Sequence, residues 1–230
     1  MAWHAKPYGA YDLSSQDGID NVWALYDYFH ALNYKTEAIA GMGGNIQGES
    51  GFNPWRWQRS ASTGHDEVNL SRGYGLYQWT PASRYVYDAS SIPGHSPNMS
   101  VSEVDGGNVS DAVAQCVCFS SNYLNKWINE AWNSRWSTTQ YATLYAMRNE
   151  MVRLYGSNDR LSLSQFSQID NVAYATLAIL VCFEHPPVPN YDERYALSSV
   201  VYQILTGQPP TPPAPIGRRK MPLWMYLHYW

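Results

Sequence analysis

Ala38-Ile39-Ala40-Gly41-Met42-Gly43-Gly44-Asn45-Ile46-Gln47-Gly48-Glu49-Ser50-Gly51-Phe52-Asn53-Pro54 is the stretch on which the fold turns. Thr36 offers a cap, and Ile39, Met42 and Ile46 recur on one side, so the pattern predicts a helix from Glu37 to about Glu49. Gly41, Gly43, Gly44 and Gly48 lie inside it. Each costs up to ~1 kcal/mol relative to alanine. A helix that carries so many is expected to pack against another backbone at close range. Ser50-Gly51, with Pro54 soon after, stops it.

Working outward, residues 1–17 read as an irregular lead-in. Ile19, Val22, Trp23, Tyr26 and Phe29 then repeat at helical spacing after Asp17, which reads as an N-cap, to about Leu32. On the other side, from 52 to about 107, the helical period vanishes into Gly, Ser, Asn and Pro. The run Tyr74-Gly75-Leu76-Tyr77-Gln78-Trp79-Thr80 fits a small hairpin there. Helical pattern returns with Val109, Val113, Val117, Leu124, Trp127, Ile128 and Ala131. A further helix opens on a capping box, Ser137 with Gln140, and closes at Gly156. Residues 171–185 are apolar nearly all round, which marks a central helix ending at Pro186-Pro187. A last helix runs from about Tyr191 to Leu205, before Gly207. The expected architecture is mainly α, a helical domain (1–206) with a small hairpin and loop lobe after the second helix. Residues 207–217 form a stiff proline-rich linker, and 218–230 a basic and apolar docking tail.

The chain of 230 residues holds 15 Lys+Arg against 19 Asp+Glu, for a net charge of −4. That acidic balance, with no basic block, argues against nucleic acid as a partner. Charged residues make up only 15%, while ten Trp and nineteen Tyr lift the aromatics to 15%. Such a composition fits either an aromatic-rich core or a surface that meets flat-faced, hydroxyl-edged ligands such as glycans. No run of ~20 apolar residues spans a membrane, and no secretory signal is read at the N-terminus. Cys116, Cys118 and Cys182 lack metal-ligand spacing and read as buried thiols of a protein made in a cytoplasm. His65 and His185 belong to no metal-like constellation, so neither metal nor cofactor is expected.

Glu49 is the chemical candidate. It falls in the last turn of the glycine-rich helix, where the negative end of the dipole disfavours a second negative charge. Trp55, Trp57 and Trp79 are near in sequence or in the same lobe, and an indole packed on the carboxyl raises its pKa further. An acid that keeps its proton near neutrality is what protonating a glycosidic oxygen demands. The position alone also fits a solvated glutamate at a helix end.

The pair Glu49-Ser50…Asn53-Pro54 and Gly73-Tyr74-Gly75-Leu76-Tyr77-Gln78-Trp79 resembles the lysozyme-like superfamily (α+β in class), and within it the phage tail lysozyme family. Gln115 and the segment Phe183-Glu184-x-Pro186-Pro187 with Arg194 and Ala196 extend the similarity over roughly residues 18–205. The resemblance implies a peptidoglycan glycosidase on a phage particle, opening the wall between N-acetylmuramic acid and N-acetylglucosamine during entry. Glu49 is then the general acid. Gln78 hydrogen-bonds substrate or water, and Tyr74, Trp79 and Trp55 line the glycan cleft. Asn53 fixes the chain's exit from the helix or reaches that cleft. Residues 207–230 are expected to meet phage tail proteins. The other reading is a non-catalytic glycan-binding or structural tail protein with the same fold.

The second carboxylate departs from the hen egg-white pattern, because the slot ahead of Tyr74-Gly75 is Gly73. Three routes stay open: Asp66 or Glu67 as general base, the substrate's own N-acetyl group as nucleophile, or closure of a 1,6-anhydro ring by a lytic transglycosylase. Glu184 needs a partner where it ends the apolar helix. Arg194 is that partner, in a pair read as structural.

Overall fold

The computed structural model describes residues 2–100, 109–121, 136–137, 139–157, 160–184 and 186–211. The positions Leu124, Trp127, Ile128, Ala131 and His185, most of the linker and the whole tail 218–230 lie outside the described residues. Within them the chain is mainly helical. Its α-helices are α1 (Gln16–Ala31), α2 (Thr36–Ser50), α3 (Val109–Ser120), α4 (Ala142–Tyr155), α5 (Leu163–Phe166), α6 (Val172–Ile179) and α7 (Tyr191–Thr206). Two π-helical turns, Arg84–Asp88 and Leu180–Glu184, complete the set. No helix among them is long and apolar enough to cross a membrane.

Helix α2 is the hub, packed chiefly on α7 and α6. Its glycines explain how. A Cβ at Gly41 would run into the Ala175 backbone of α6, and one at Gly44 into the Ser198 backbone of α7. The close approach expected from the glycine content is therefore made against two helices at once, and their packing offsets the lost propensity. Gly51 ends α2 in the left-handed region at φ 61°, where a Cβ would be strained. Helix α6 is buried along its whole length.

The helix starts differ from expectation by one to four residues. Ser15, not Asp17, caps α1, its side chain accepting from the Gly18 amide at 3.2 Å. Lys35 precedes α2 with no side-chain cap, and Thr36 is the first helical residue. Ser137 accepts from the Gln140 amide at 3.4 Å, but regular helix begins only at Ala142. Short α5, with its own Ser162–Gln165 capping box, was not anticipated. The hairpin is smaller than a pair of strands. Among the described residues it consists of isolated bridges, Trp57 to Tyr74 and Tyr74 to Trp79. Burial of its side chains, rather than a hydrogen-bond ladder, fixes its position.

That lobe is anchored on α3. The Gln115 side chain accepts from the Leu76 amide at 2.6 Å and donates to the Pro54 carbonyl at 2.7 Å and to Asp111 at 2.8 Å. Asp111 also accepts from the Tyr74 hydroxyl (3.1 Å), the Tyr85 hydroxyl (2.8 Å) and the Ser96 amide (2.8 Å). Burial pushes the Asp111 carboxyl up, and those donors pull against it. Asp111 was missed in the sequence, where it reads as an ordinary first-turn acid. Asn21 and Asn53, both fully buried, tie the N-terminal lead-in to the exit of α2 by bonds to the backbone of His4 and Phe52, and of Lys6 and Gly9.

Candidate active site

Where the end of α2, the hairpin and the π-helical turn Leu180–Glu184 converge, a cleft of about 480 Å³ opens. Glu49, Gln78, Trp79, Phe183, Glu184 and Arg56 are among its lining residues. Glu49 reaches it from the last turn of α2, with its side chain 29% exposed. The π-helical turn ends α6 with a widened coil, and carries Phe183 and Glu184 to the cleft.

Arg194, on the first turn of α7, joins the two carboxyls. Its Nη2 donates to Glu49 Oε1 and stands 3.8 Å from Glu184 Oε2, while Nη1 donates to the Asn45 carbonyl at 2.8 Å. The guanidinium crosses α2 at Gly48, where any Cβ would occupy its place. The sequence reading paired Arg194 with Glu184 alone. Helix packing instead lays the arginine across both glutamates.

Glu184 is the proton-holding member of the cluster. Its side chain is 8% exposed, and burial raises its pKa, with the neighbouring charge of Glu49 adding to the rise and Arg194 opposing it. The net effect pushes the carboxyl up to about 8, and a hydrogen bond to Glu49 favours its protonated form. Burial and the neighbouring Glu49 charge thus favour the protonated form of Glu184 at neutral pH. The burial anticipated around Glu49 is found most fully at its neighbour.

Gln78 lines the cleft in the left-handed region, φ 46°, held there by its amide nitrogen. That nitrogen donates to the Gly75 and Arg56 carbonyls at 2.9 and 3.1 Å, so it serves the backbone rather than an incoming ligand. A Cβ at Gly73 would lie 2.6 Å from the Gln78 amide oxygen. The space that an aspartate at 73 would enter is thus filled by Gln78.

The remaining candidates fall elsewhere. Tyr74 is 1% exposed, its hydroxyl spent on Asp111 and on the Asn98 amide, and Trp55 is 2% exposed with its indole N–H on the Ser100 carbonyl. Neither lines the cleft. Trp57 donates likewise to the Asn98 carbonyl and packs on Tyr74 at 4.6 Å between centroids. Trp79 does line it, but its ring is stacked on Tyr85 (interplanar angle 4°) and set edge-on to Phe183, leaving no open face for a sugar. Asn53 holds the lead-in. The aromatic excess has gone to the core of the lobe, because burying such large apolar faces is worth more than exposing them. Asp66, its side chain 5% exposed, is paired with Arg56 Nε at 3.0 Å and accepts from the Gly9 amide at 3.0 Å, and opens on a different cavity. Glu67 is exposed and lines neither cavity. Neither acid stands across the cleft from Glu49.

The profile of the phage tail lysozyme family matches residues 20–205. Over 74 residues the chain is also 40% identical to morphogenesis protein 1 of Bacillus phage B103. That match covers 32% of this chain and 19% of the relative's length.

Proposed function

The chain belongs to the phage tail lysozyme family, and on that premise we propose that it cuts the glycan strand of peptidoglycan as part of a phage tail, opening the wall locally during entry. The reading is carried by Glu49, standing at the cleft in contact with Arg194 and with the protonated, buried Glu184. Glu49 is the more exposed of the two carboxyls and the one that meets the substrate. As the bond between N-acetylmuramic acid and N-acetylglucosamine breaks, Glu49 delivers a proton to the departing oxygen, which leaves as an alcohol. Glu184 supplies that proton through the carboxyl–carboxyl hydrogen bond. Arg194 keeps the pair from repelling itself apart and balances the charge left behind.

Among the described residues, the carboxylates of the cleft are these two, held on one side by the same arginine. With Asp66 paired with Arg56, the positive sugar centre is met by the substrate's own N-acetyl oxygen or C6 hydroxyl. On the C6 route that hydroxyl closes on C1, gives its proton back to Glu49 and leaves 1,6-anhydro ends; on the other, water attacks C1, displaces the N-acetyl oxygen, gives a proton to Glu49 and leaves reducing ends. Contact with phage tail proteins is the setting proposed for residues 207–230, and the name of the B103 relative, morphogenesis protein 1, fits a role in building a phage particle.

Clearing of purified walls by the wild-type protein and by Glu49→Gln is the test. Clearing should fall at least a hundredfold in the variant, the range set by losing a general acid. Wild-type clearing that persists in Glu49→Gln removes Glu49 as the acid. Retained wall binding without clearing by either protein favours the non-catalytic tail protein.

A further inference from the structure

A second cavity, of about 540 Å³, adjoins the first, and the two share Arg56 and Arg59 as common walls. Tyr8, Gly9, His65 and Asp66 are among the groups on its far side. The two arginines differ. Arg56 is neutralised by Asp66 Oδ2 at 3.0 Å, and its Nη1 lies 3.4 Å from the Ser50 carbonyl. Arg59 is exposed, is held only through Nε on the Gly64 carbonyl, and among the described residues has no carboxylate partner. One guanidinium edge therefore stands uncompensated between the two cavities, on a chain whose overall charge is −4. Tyr8, 65% exposed, presents an aromatic face beside it.

We infer that this second cavity is a subsite for the carboxylate-bearing peptide stem of the wall polymer, with Arg59 as the residue that reads it. The inference rests on the glycosidase reading above and extends it from the sugar to its substituent. Muramic acid bears its peptide on the lactyl ether, so a muramyl unit seated near Glu49 must project that peptide out of the glycan cleft. The shared arginine wall is the exit that carries a cation. A planar guanidinium fork matches a carboxylate, and an exposed tyrosine face suits the short apolar side chains of such a stem. The pairing of Arg56 with Asp66 keeps the wall rigid and leaves Arg59 as the discriminating charge. Arg59 is a binding residue, and no part in proton transfer is assigned to it.

The test compares initial cleavage rates on three substrates: intact glycan strands bearing peptide stems, the same strands stripped of stems by an amidase with the freed lactyl carboxylates then amidated, and stem-bearing walls freed of teichoic acid. The wild-type protein should prefer stem-bearing strands by about tenfold, the worth of one charged hydrogen bond. Arg59→Ala should erase that preference, and Arg59→Lys should restore part of it. Removing teichoic acid should leave the preference intact. A preference that survives Arg59→Ala, or equal rates on both strands with wild type, overturns the subsite while leaving the glycosidase reading standing. A preference lost with teichoic acid assigns the cavity to phosphate and also overturns it. If wild type cuts none of the three, the glycosidase reading itself fails, and the subsite with it.

Discussion

Arg194 touches Glu49, Glu184 and the Asn45 carbonyl with one guanidinium, and the consequences are electrostatic. Glu184 carries a pKa raised to about 8 by burial and by Glu49. Its ordinary value is near 4.5, so between those values the folded chain holds a proton that the unfolded chain releases. Its contribution to stability is complete below about 4.5 and is lost as pH rises toward 8, with a slope of at most ~1.4 kcal/mol per pH unit. Glu184→Gln should flatten that dependence, as denaturant midpoints measured from pH 4 to 9 would reveal. A slope unchanged in the variant would place the proton elsewhere. The same substitution should remove the alkaline fall in wall-clearing rate near pH 8 while leaving some activity at acid pH. At this scale Glu49 could be singled out from the sequence because its own string carries the resemblance, and the fold sets it at the cleft. Glu184 as the proton holder could not be. Its environment comes from α7 and from Glu49, which is 135 residues away in sequence and near only after packing.

Helix α2 was legible as an element because its glycines and its terminal Gly51 are local signals. The partners those glycines face, Ala175 and Ser198, came only from packing. Gly48→Ala puts a methyl where the Arg194 guanidinium crosses α2. We expect clearing to fall at least tenfold and the melting temperature by a few degrees, although alanine is the better helix former. An alanine variant as active as wild type would show that Arg194 need not lie across α2. The hairpin rests on side-chain bonds rather than on strand pairing. Gln115→Ala removes the acceptor for the Leu76 amide and the donor to Pro54, and should cost about 2–4 kcal/mol in chemical denaturation. A loss under 0.5 kcal/mol would mean that the aromatic contacts alone hold the lobe. Sequence alone gave a strand-like run here, since alternation and aromatic content look the same whether a segment pairs or is simply buried.

For the molecule as a whole, the mainly helical architecture with an inserted lobe follows from period and punctuation along the chain. The fate of its aromatics does not. The resemblance set Tyr74 and Trp55 in the glycan cleft, and burial places both in the interior of the lobe. What remains at the cleft is largely polar and charged: two glutamates, two arginines, Gln58, Gln78 and Thr80, beside Tyr77, Trp79, Phe183 and Pro186. The glycan is then expected to be held more by hydrogen bonds and charge than by stacking. Binding of chitin oligosaccharides to Glu49→Gln should consequently change little in Trp79→Phe, under threefold in Kd by calorimetry. A drop of tenfold or more would mean that the indole meets the sugar directly. The central claim is that Glu184 keeps its proton through neutrality beside Glu49 and so arms the cleft for acid catalysis. Carbon-13 NMR titration of glutamate carboxyls tests it most directly, in wild type and in Glu184→Gln. One carboxyl resonance is expected to remain protonated at pH 7 and to ionise near 8, and to be missing from the variant. Every glutamate fully ionised by pH 6 in the wild-type protein would contradict it.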